Sequence, residues 1–269
     1  MTYLDAAVLG IIEGLTEFLP VSSTGHLILA SYLLGLGESE ATKAFEVIIQ
    51  SGAIFAVIWE YRKLLGKTCI GIIQRQSASL HLFNLVVISF LPAAIIGVLL
   101  SKYIKEHLFG VTPVAYALIV GGLVMILIER KFSRPVTINV GASFEKLSKL
   151  KALGIGFAQC FSLWPGTSRS MATILGGRLA GLSSKQAAEF SFLLAIPTII
   201  GASVYDLFKS REAIANSDMS MVALAIGLGF SFLTALVVIR AFLKFLTSHS
   251  LEIFGWYRIL VGAAFLSFF

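Results

Sequence analysis

The stretch Glu13-Gly-Leu-Thr-Glu17-Phe-Leu-Pro20-Val-Ser22-Ser23-Thr24-Gly25-His26 breaks an apolar run that is too short to cross a bilayer. The run, Leu4–Leu19, stops at Pro20 after about 16 residues, roughly 24 Å of helix. A ~30 Å hydrocarbon core requires about 20 residues. A second apolar run, Leu27–Leu36, follows directly. Backbone can leave the helix inside a membrane only where protein or a water-filled cavity satisfies its hydrogen bonds. The spacing therefore predicts a re-entrant hairpin: a half-helix in, a polar turn, a half-helix out. Leu150–Trp164, stopped by Pro165 and followed by Met171–Leu182, repeats the pattern.

The remainder of the chain fits a membrane setting. Of 269 residues, 57% are hydrophobic and 13% charged, and mean hydropathy is +0.89. Soluble domains carry about 25% charged residues, so the bilayer must cover the apolar surface. Six stretches are long enough to span it: Ala44–Tyr61, Leu82–Leu100, Val111–Ile128, Gln186–Phe208, Met219–Ile239 and Ile253–Phe269. Pro92 and Pro197 fall inside spans and predict kinks. No Pro/Ser-rich linker separates the segments, and residues 1–269 read as one integral membrane domain. The net charge of +6 is scattered over short loops without a basic stripe or stacking aromatics. These bases read as topology signals and contacts to membrane lipids, with no nucleic-acid partner. Cys69 and Cys160 sit in apolar runs without CxxC spacing, which argues against disulfide or metal roles. The first basic residue is Lys43, so a cleaved signal peptide is not expected.

The halves resemble one another. Gly10-x-x-Glu13 recurs as Gly156-x-x-Gln159, and Pro20 with Ser22-Ser23 recurs as Pro165 with Thr167-Ser168. Phe45 answers to Phe190, and the pairs 20/165, 23/168 and 45/190 share an offset of 145. Each half, approximately 1–130 and 150–269, would hold one hairpin and three spans. Three is odd, so the second half inserts upside down, giving an inverted repeat with the hairpin tips meeting near the midplane. Twelve loop bases, from Arg62 to Lys244, fall on one side, against Lys43, Lys102, Lys105, Lys209 and Arg211 on the other. The richer side is cytoplasmic by the positive-inside rule, and both termini face outward. The expected fold is all-α: a polytopic membrane protein with six transmembrane helices and two re-entrant helical hairpins.

The polar residues cluster at the hairpin turns. Glu13 and Glu17 are four apart and share a helix face, where like charges repel. An unpaired carboxylate in the membrane costs several kcal/mol. A face at headgroup level would explain the pair blandly. Its place beside the polar break suggests a general base, a divalent-cation site, or both. Ser22, Ser23 and Thr24 suit a helix N-cap, which needs only one of them. His26 lies within the first turn beyond, whereas His81, His107 and His249 lie in predicted loops or at their edges. In the second hairpin Arg169 sits too deep to snorkel to the interface and needs an anion, either the glutamates or a substrate. Its planar fork matches phosphate oxygens. Ser168, Ser170 and Thr173 add hydroxyls, and Gly166 lets backbone approach closely. Two helix N-termini pointing inward favour a multiply charged oxyanion. A divalent cation (Mg2+ or Ca2+) held by Glu13 and Glu17 and bridging the phosphates would reconcile acid and anion in a metal-assisted phosphoryl transfer.

Residues 13–26 and Pro-Gly-Thr-Ser-Arg-Ser (165–170) closely resemble the undecaprenyl-diphosphate phosphatase family, also called bacitracin resistance proteins. The resemblance extends over nearly the whole chain, including Glu189-Phe-Ser-Phe-Leu-Leu-Ala-Ile-Pro197. It implies hydrolysis of a polyprenyl diphosphate lipid to its monophosphate, which recycles the carrier of peptidoglycan precursors and confers bacitracin resistance. It also implies a bacterial inner membrane location, which makes the outward-facing termini periplasmic, together with the inverted-repeat fold, divalent-cation dependence and a site opening toward the periplasm. Glu13, Glu17, Ser23, His26, Ser168, Arg169 and Thr173 carry over as active-site residues, and a homodimer is one partner expectation. Met171 departs from the pattern, where the family usually has glycine. A type-2 phosphatidic acid phosphatase would need histidine six residues after the arginine, where this chain has Leu175. The nucleophile stays open between water, Ser23 and His26. The rival function is a lipid or anion transporter, a flippase, on the same inverted-repeat fold. Pockets near Phe45 and Phe190 are the expected place for the isoprenoid tail.

Overall fold

The computed structural model describes residues 1–36, 39–108, 110–131, 144–209 and 220–268, and all regular structure among them is helical. Arg134 and Arg211, two of the loop bases counted above, lie outside the described residues. A capping box starts the first helix, α1 (Tyr3–Thr16): Thr2 Oγ1 accepts from the Asp5 N–H, and the Asp5 carboxylate accepts from the Thr2 N–H. There follow α2 (Ser23–Leu33), α3 (Glu40–Glu60), α4 (Arg62–Ile73), α5 (Ser77–His107) and α6 (Val111–Lys131). The second half runs α7 (Lys149–Cys160), α8 (Arg169–Leu179), α9 (Ser184–Lys209), α10 (Met221–Phe245) and α11 (Glu252–Phe268).

Among the described residues five helices, α3, α5, α6, α9 and α10, are long and apolar enough to cross a membrane, which makes this a polytopic membrane protein. The sixth expected span, Ile253–Phe269, forms α11, a helix of 17 residues that carries Glu252 and Arg258. α4 corrects the expectation of a loop after the first span: its bases Arg62, Lys63 and Lys67 lie on a 12-residue helix. His81 and His107 likewise lie inside α5. Pro92 and Pro197 sit within α5 and α9, which continue past them.

α1, α2, α7 and α8 have 14, 11, 12 and 11 residues, too few to span at ~1.5 Å per residue. α1 and α7 stop at Thr16 and Cys160, short of the prolines at which the apolar runs end. The last apolar residues lead into the turns instead, Phe161–Leu163 as a short 3-10 helix, and the carbonyls of Leu19, Pro20 and Gly166 are turned toward side chains of α8 and α11. Ser22 and Ser168 cap α2 and α8 with φ of 75° and 73°, left-handed backbone that serine rarely adopts. Their separation is 146 residues, as it is for Gly10/Gly156 and Glu13/Gln159. The expected pairing of Ser23 with Ser168 is therefore shifted by one: Ser23 answers to Arg169.

α3 and α9 form the centre, with 50% and 56% of their spanning windows buried, against 22% for α5 and 33% for α10. α1 packs on α10, α7 packs on α5, and α6 packs on α11. The recurring Gly-x-x element explains two of these crossings. A Cβ on Gly10 would overlap the Gly227 carbonyl, and one on Gly156 would stand 2.7 Å from the Ser89 oxygen. Outward faces carry large apolar side chains such as Leu99, Leu127 and Leu233, as contact with lipid tails requires. Phe45 and Phe190 are fully buried in packed clusters, which corrects the expectation of tail pockets beside them.

Candidate active site

The two turns meet. Glu17, the C-cap of α1, is 6% exposed and engages three groups at once. Its Oε1 accepts from Arg169 Nη2 at 2.9 Å, and its Oε2 accepts from Ser23 Oγ at 2.6 Å and Gln50 Nε2 at 3.3 Å. Arg169, the first residue of α8, also donates through Nη1 to the Ser191 carbonyl (3.0 Å) and Ser191 Oγ (3.2 Å) of α9. Its guanidinium lies 5.8 Å from the centre of the Phe18 ring. Such fixing of both ends keeps the fork in one plane, which a single ion pair does not do.

Glu13 lies one turn before Glu17, 1% exposed, and its Oε1 has no hydrogen-bond partner. A buried carboxylate oxygen left unsatisfied is unfavourable by itself and marks a place where a proton, a cation or a substrate group is accommodated. In the second hairpin its counterpart is Gln159, fully buried, which accepts from Thr198 Oγ1 at 3.3 Å.

The hydroxyls divide by duty. Ser22 and Ser168 cap their helices, accepting from Gly25 N (3.4 Å) and Met171 N (3.2 Å). Ser170 Oγ donates to the Leu19 carbonyl at 2.8 Å and so ties α8 to the first turn. Thr173 Oγ1 sits 2.6 Å from Ser191 Oγ, behind Arg169. Thr24 is exposed and makes no side-chain hydrogen bond among the described residues. Gly166 has φ +92° and packs on α6, where a Cβ would stand 2.6 Å from the Val114 oxygen. Met171, the departure from the resemblance, is buried against Gly121 of α6, with its N–H on the Ser168 cap.

His26 faces elsewhere. Its Nδ1 lies 2.7 Å from the Ser22 carbonyl and its Nε2 2.7 Å from the Tyr257 hydroxyl, with the two rings stacked at 5.6 Å. A carbonyl can only accept, so Nδ1 carries the proton and the Tyr257 hydroxyl donates to Nε2. No hydrogen bond joins His26 to Glu17 or Arg169 among the described residues. Tyr257 also lines an apolar cavity of about 450 Å³ with Leu15, Leu19, Val21, Ile253 and Phe254.

The structure thus adds Gln50, Ser191, Tyr257 and Arg258 to the residues around the turns. Ser191 stands inside the stretch 189–197 that carries the resemblance, and Gln50 is a lone amide in an apolar span. Arg258 is an arginine inside an expected span, which is the same signal that singled out Arg169.

The chain is similar to known proteins over nearly its whole length. Residues 6–264 match the family model described as bacitracin resistance protein BacA. An undecaprenyl-diphosphatase of Sorangium cellulosum is 53% identical over 268 residues, covering 99% of this chain and 86% of that protein. One of Nitrosospira multiformis is 50% identical, covering 96% and 92%. Undecaprenyl-diphosphatase 2 of Rhodospirillum rubrum is 47% identical, covering 98% and 94%. With both turns inside the matched region, the chain belongs to the bacitracin resistance protein BacA family.

Proposed function

We propose that this protein hydrolyses undecaprenyl diphosphate to undecaprenyl phosphate and inorganic phosphate in a bacterial inner membrane. The observation that carries the reading is Glu17, held by Arg169 of the opposite turn (2.9 Å) and Ser23 of its own (2.6 Å). When a more highly charged anion arrives, Arg169 transfers its fork to the diphosphate, and Glu17 is released as a base. The leading N–H groups of α2 and α8 add donors for the phosphate oxygens. The Ser23 hydroxyl gives its proton to Glu17 and attacks the terminal phosphorus. The bond to the bridging oxygen breaks and the lipid monophosphate leaves. The departing lipid monophosphate takes the Ser23 proton from Glu17. Water then attacks the phosphorus on Ser23, giving its proton to the freed Glu17 carboxylate, and the P–O bond to Ser23 breaks with that proton passing to the serine oxygen. The short Ser23–Glu17 bond favours Ser23 over His26, whose ring nitrogens are both engaged. Acid quenching during steady turnover tests this: phosphoserine at 23 is expected, and its absence assigns the attack to water beside Glu17.

A divalent cation, Mg2+ or Ca2+, fits Glu13, whose buried Oε1 is an unpartnered hard donor, with Glu17 beside it. Bound there, it would neutralise phosphate charge as the bond breaks. No group of three acidic, histidine or cysteine side chains converges among the described residues, so phosphate oxygens and water would complete its shell. The cavity beside Tyr257 suits part of the isoprenoid tail.

The chain is read as a single membrane domain, an inverted repeat of two re-entrant hairpins and six spans with periplasmic termini. The common register of α2 and α8 supports the repeat, as does the crossed packing of α1 on α10 and α7 on α5. The ion pairs Arg240–Glu60 (2.8 Å) and Arg130–Glu252 (2.5 Å) join helix ends on the base-rich side. The transporter reading draws no support from the relatives, which are named for a phosphatase. Purified protein in detergent, where no compartments exist for transport, should release phosphate from undecaprenyl diphosphate and stop on chelation. No release with either cation, across several lipid lengths, would defeat the enzyme reading.

A further inference from the structure

Arg258 lies in the second turn of α11 and is completely buried. No carboxylate stands within ion-pair distance of it among the described residues. Its guanidinium is directed instead to three backbone carbonyls. Nη1 donates to Pro20 O at 3.3 Å, and Nη2 donates to Gly166 O at 2.9 Å and Ala117 O at 3.1 Å. Pro20 and Gly166 each stand two residues before a capping serine, Ser22 and Ser168, so they are equivalent positions of the two turns. One side chain therefore grips the same carbonyl in both hairpins.

α6 provides the slot for it. A Cβ on Gly121 would overlap Arg258 Nη2, and one on Gly122 would come within 3.3 Å of Arg258 Cβ. Burying an unpaired cation is unfavourable by several kcal/mol, and an apolar residue would pack α11 on α6 more stably. Packing alone does not account for the guanidinium. The peptides it holds lead into the N-termini of α2 and α8. Rotating either would turn Ser23 and Glu17 away from Arg169.

We propose that Arg258 is a positioning residue for the phosphoryl transfer, fixing the two turns in register so that both halves of the site address one diphosphate. This rests on the phosphatase reading above. A one-ångström misplacement of reacting groups costs on the order of 10²-fold. Arg258→Met should accordingly lower kcat about 10- to 100-fold, with KM within about threefold and the helical circular dichroism of the purified protein retained. Arg258→Lys keeps the charge but cannot grip both turns as a fork, so it should recover only part of the rate. Gly121→Ala alters no turn residue; its Cβ would overlap the guanidinium and reach only the flexible end of Met171, at 3.1 Å, so it should lower kcat in the same way. Combined with Arg258→Met, it should add little, since the two changes remove one interaction. Should Arg258→Met not fold, Arg258→Lys and Gly121→Ala carry the same comparison. Variants that keep wild-type kcat and lose only thermal stability, or that combine additively, would reduce Arg258 to a packing residue. A wild-type protein that releases no phosphate would instead overturn the phosphatase reading.

Discussion

The turn between α1 and α2 and the turn between α7 and α8 share one frame and carry opposite chemistry. Each is left by an 11-residue helix capped by a serine of positive φ. On that frame the first turn places Glu13, Glu17 and Ser23, and the second places Gln159, Leu163 and Arg169 at the equivalent positions. Neither turn alone holds both an acid and a cation. On the proposed reading the difference is a division of labour: the first turn supplies the proton chemistry and the second supplies the cation that takes the anion.

The largest effect should come from removing the acid. Glu17→Gln should lower phosphate release at least about 10²-fold, the usual worth of a general base, while the protein still inserts. Retention of a tenth of the rate would break the division of labour between the turns. Arg169→Lys should fail nearly as badly as Arg169→Ala, in kcat as well as KM, because the fork serves Glu17, Ser191 and then the phosphate. Rescue by lysine would make Arg169 a simple counter-charge. Making the second turn acidic should injure the fold rather than the chemistry. Gln159→Glu buries a charge beside Thr198 alone and should cost at least about 2 kcal/mol, read as a lower Tm in detergent. Smallest is the contrast between Ser170 and Thr24, which occupy equivalent positions. Ser170→Ala loses the bonds to the Leu19 carbonyl and to Ser168 Oγ and should cost about 1–2 kcal/mol, whereas Thr24→Ala, on an exposed side chain, should leave stability and rate unchanged.

Local chemistry explains what the sequence disclosed. The short apolar runs, the prolines and the capping serines act within a few residues, so the two helix pairs and their meeting were legible from composition and spacing. Arg169's need for an anion was equally legible, because a charge far from water must be paired. The choice between the glutamates and a substrate was not; in the structure its partner is Glu17. Long-range placement was hidden as well. His26 shares a helix with Ser23, yet its partner is Tyr257, 231 residues away. Gln50 and Ser191 become site residues only because the central helices α3 and α9 cross behind the turns. Phe45 and Phe190 looked suited to a tail for their apolarity, which is equally what fits a side chain for a sealed core. α4 was hidden by its bases, which read as a charged loop without revealing that the segment is helical. Its exposed Cys69 offers a native test of orientation. In a Cys160→Ser background an impermeant thiol reagent should leave Cys69 unlabelled in intact cells and label it after permeabilisation.

The grip of Arg258 on both turns also sets an order of assembly. The ribosome delivers α1 and α2 first and α8 much later, and the helix bearing Arg258 follows every other helix described. Until it docks on α6, the carbonyls of Pro20 and Gly166 lack their common donor, and the hairpins are joined only by the Arg169–Glu17 and Ser170–Leu19 bonds. During biosynthesis, then, the membrane holds two half-sites that are already inserted and still uncommitted, and the closing helix turns them into one enzyme.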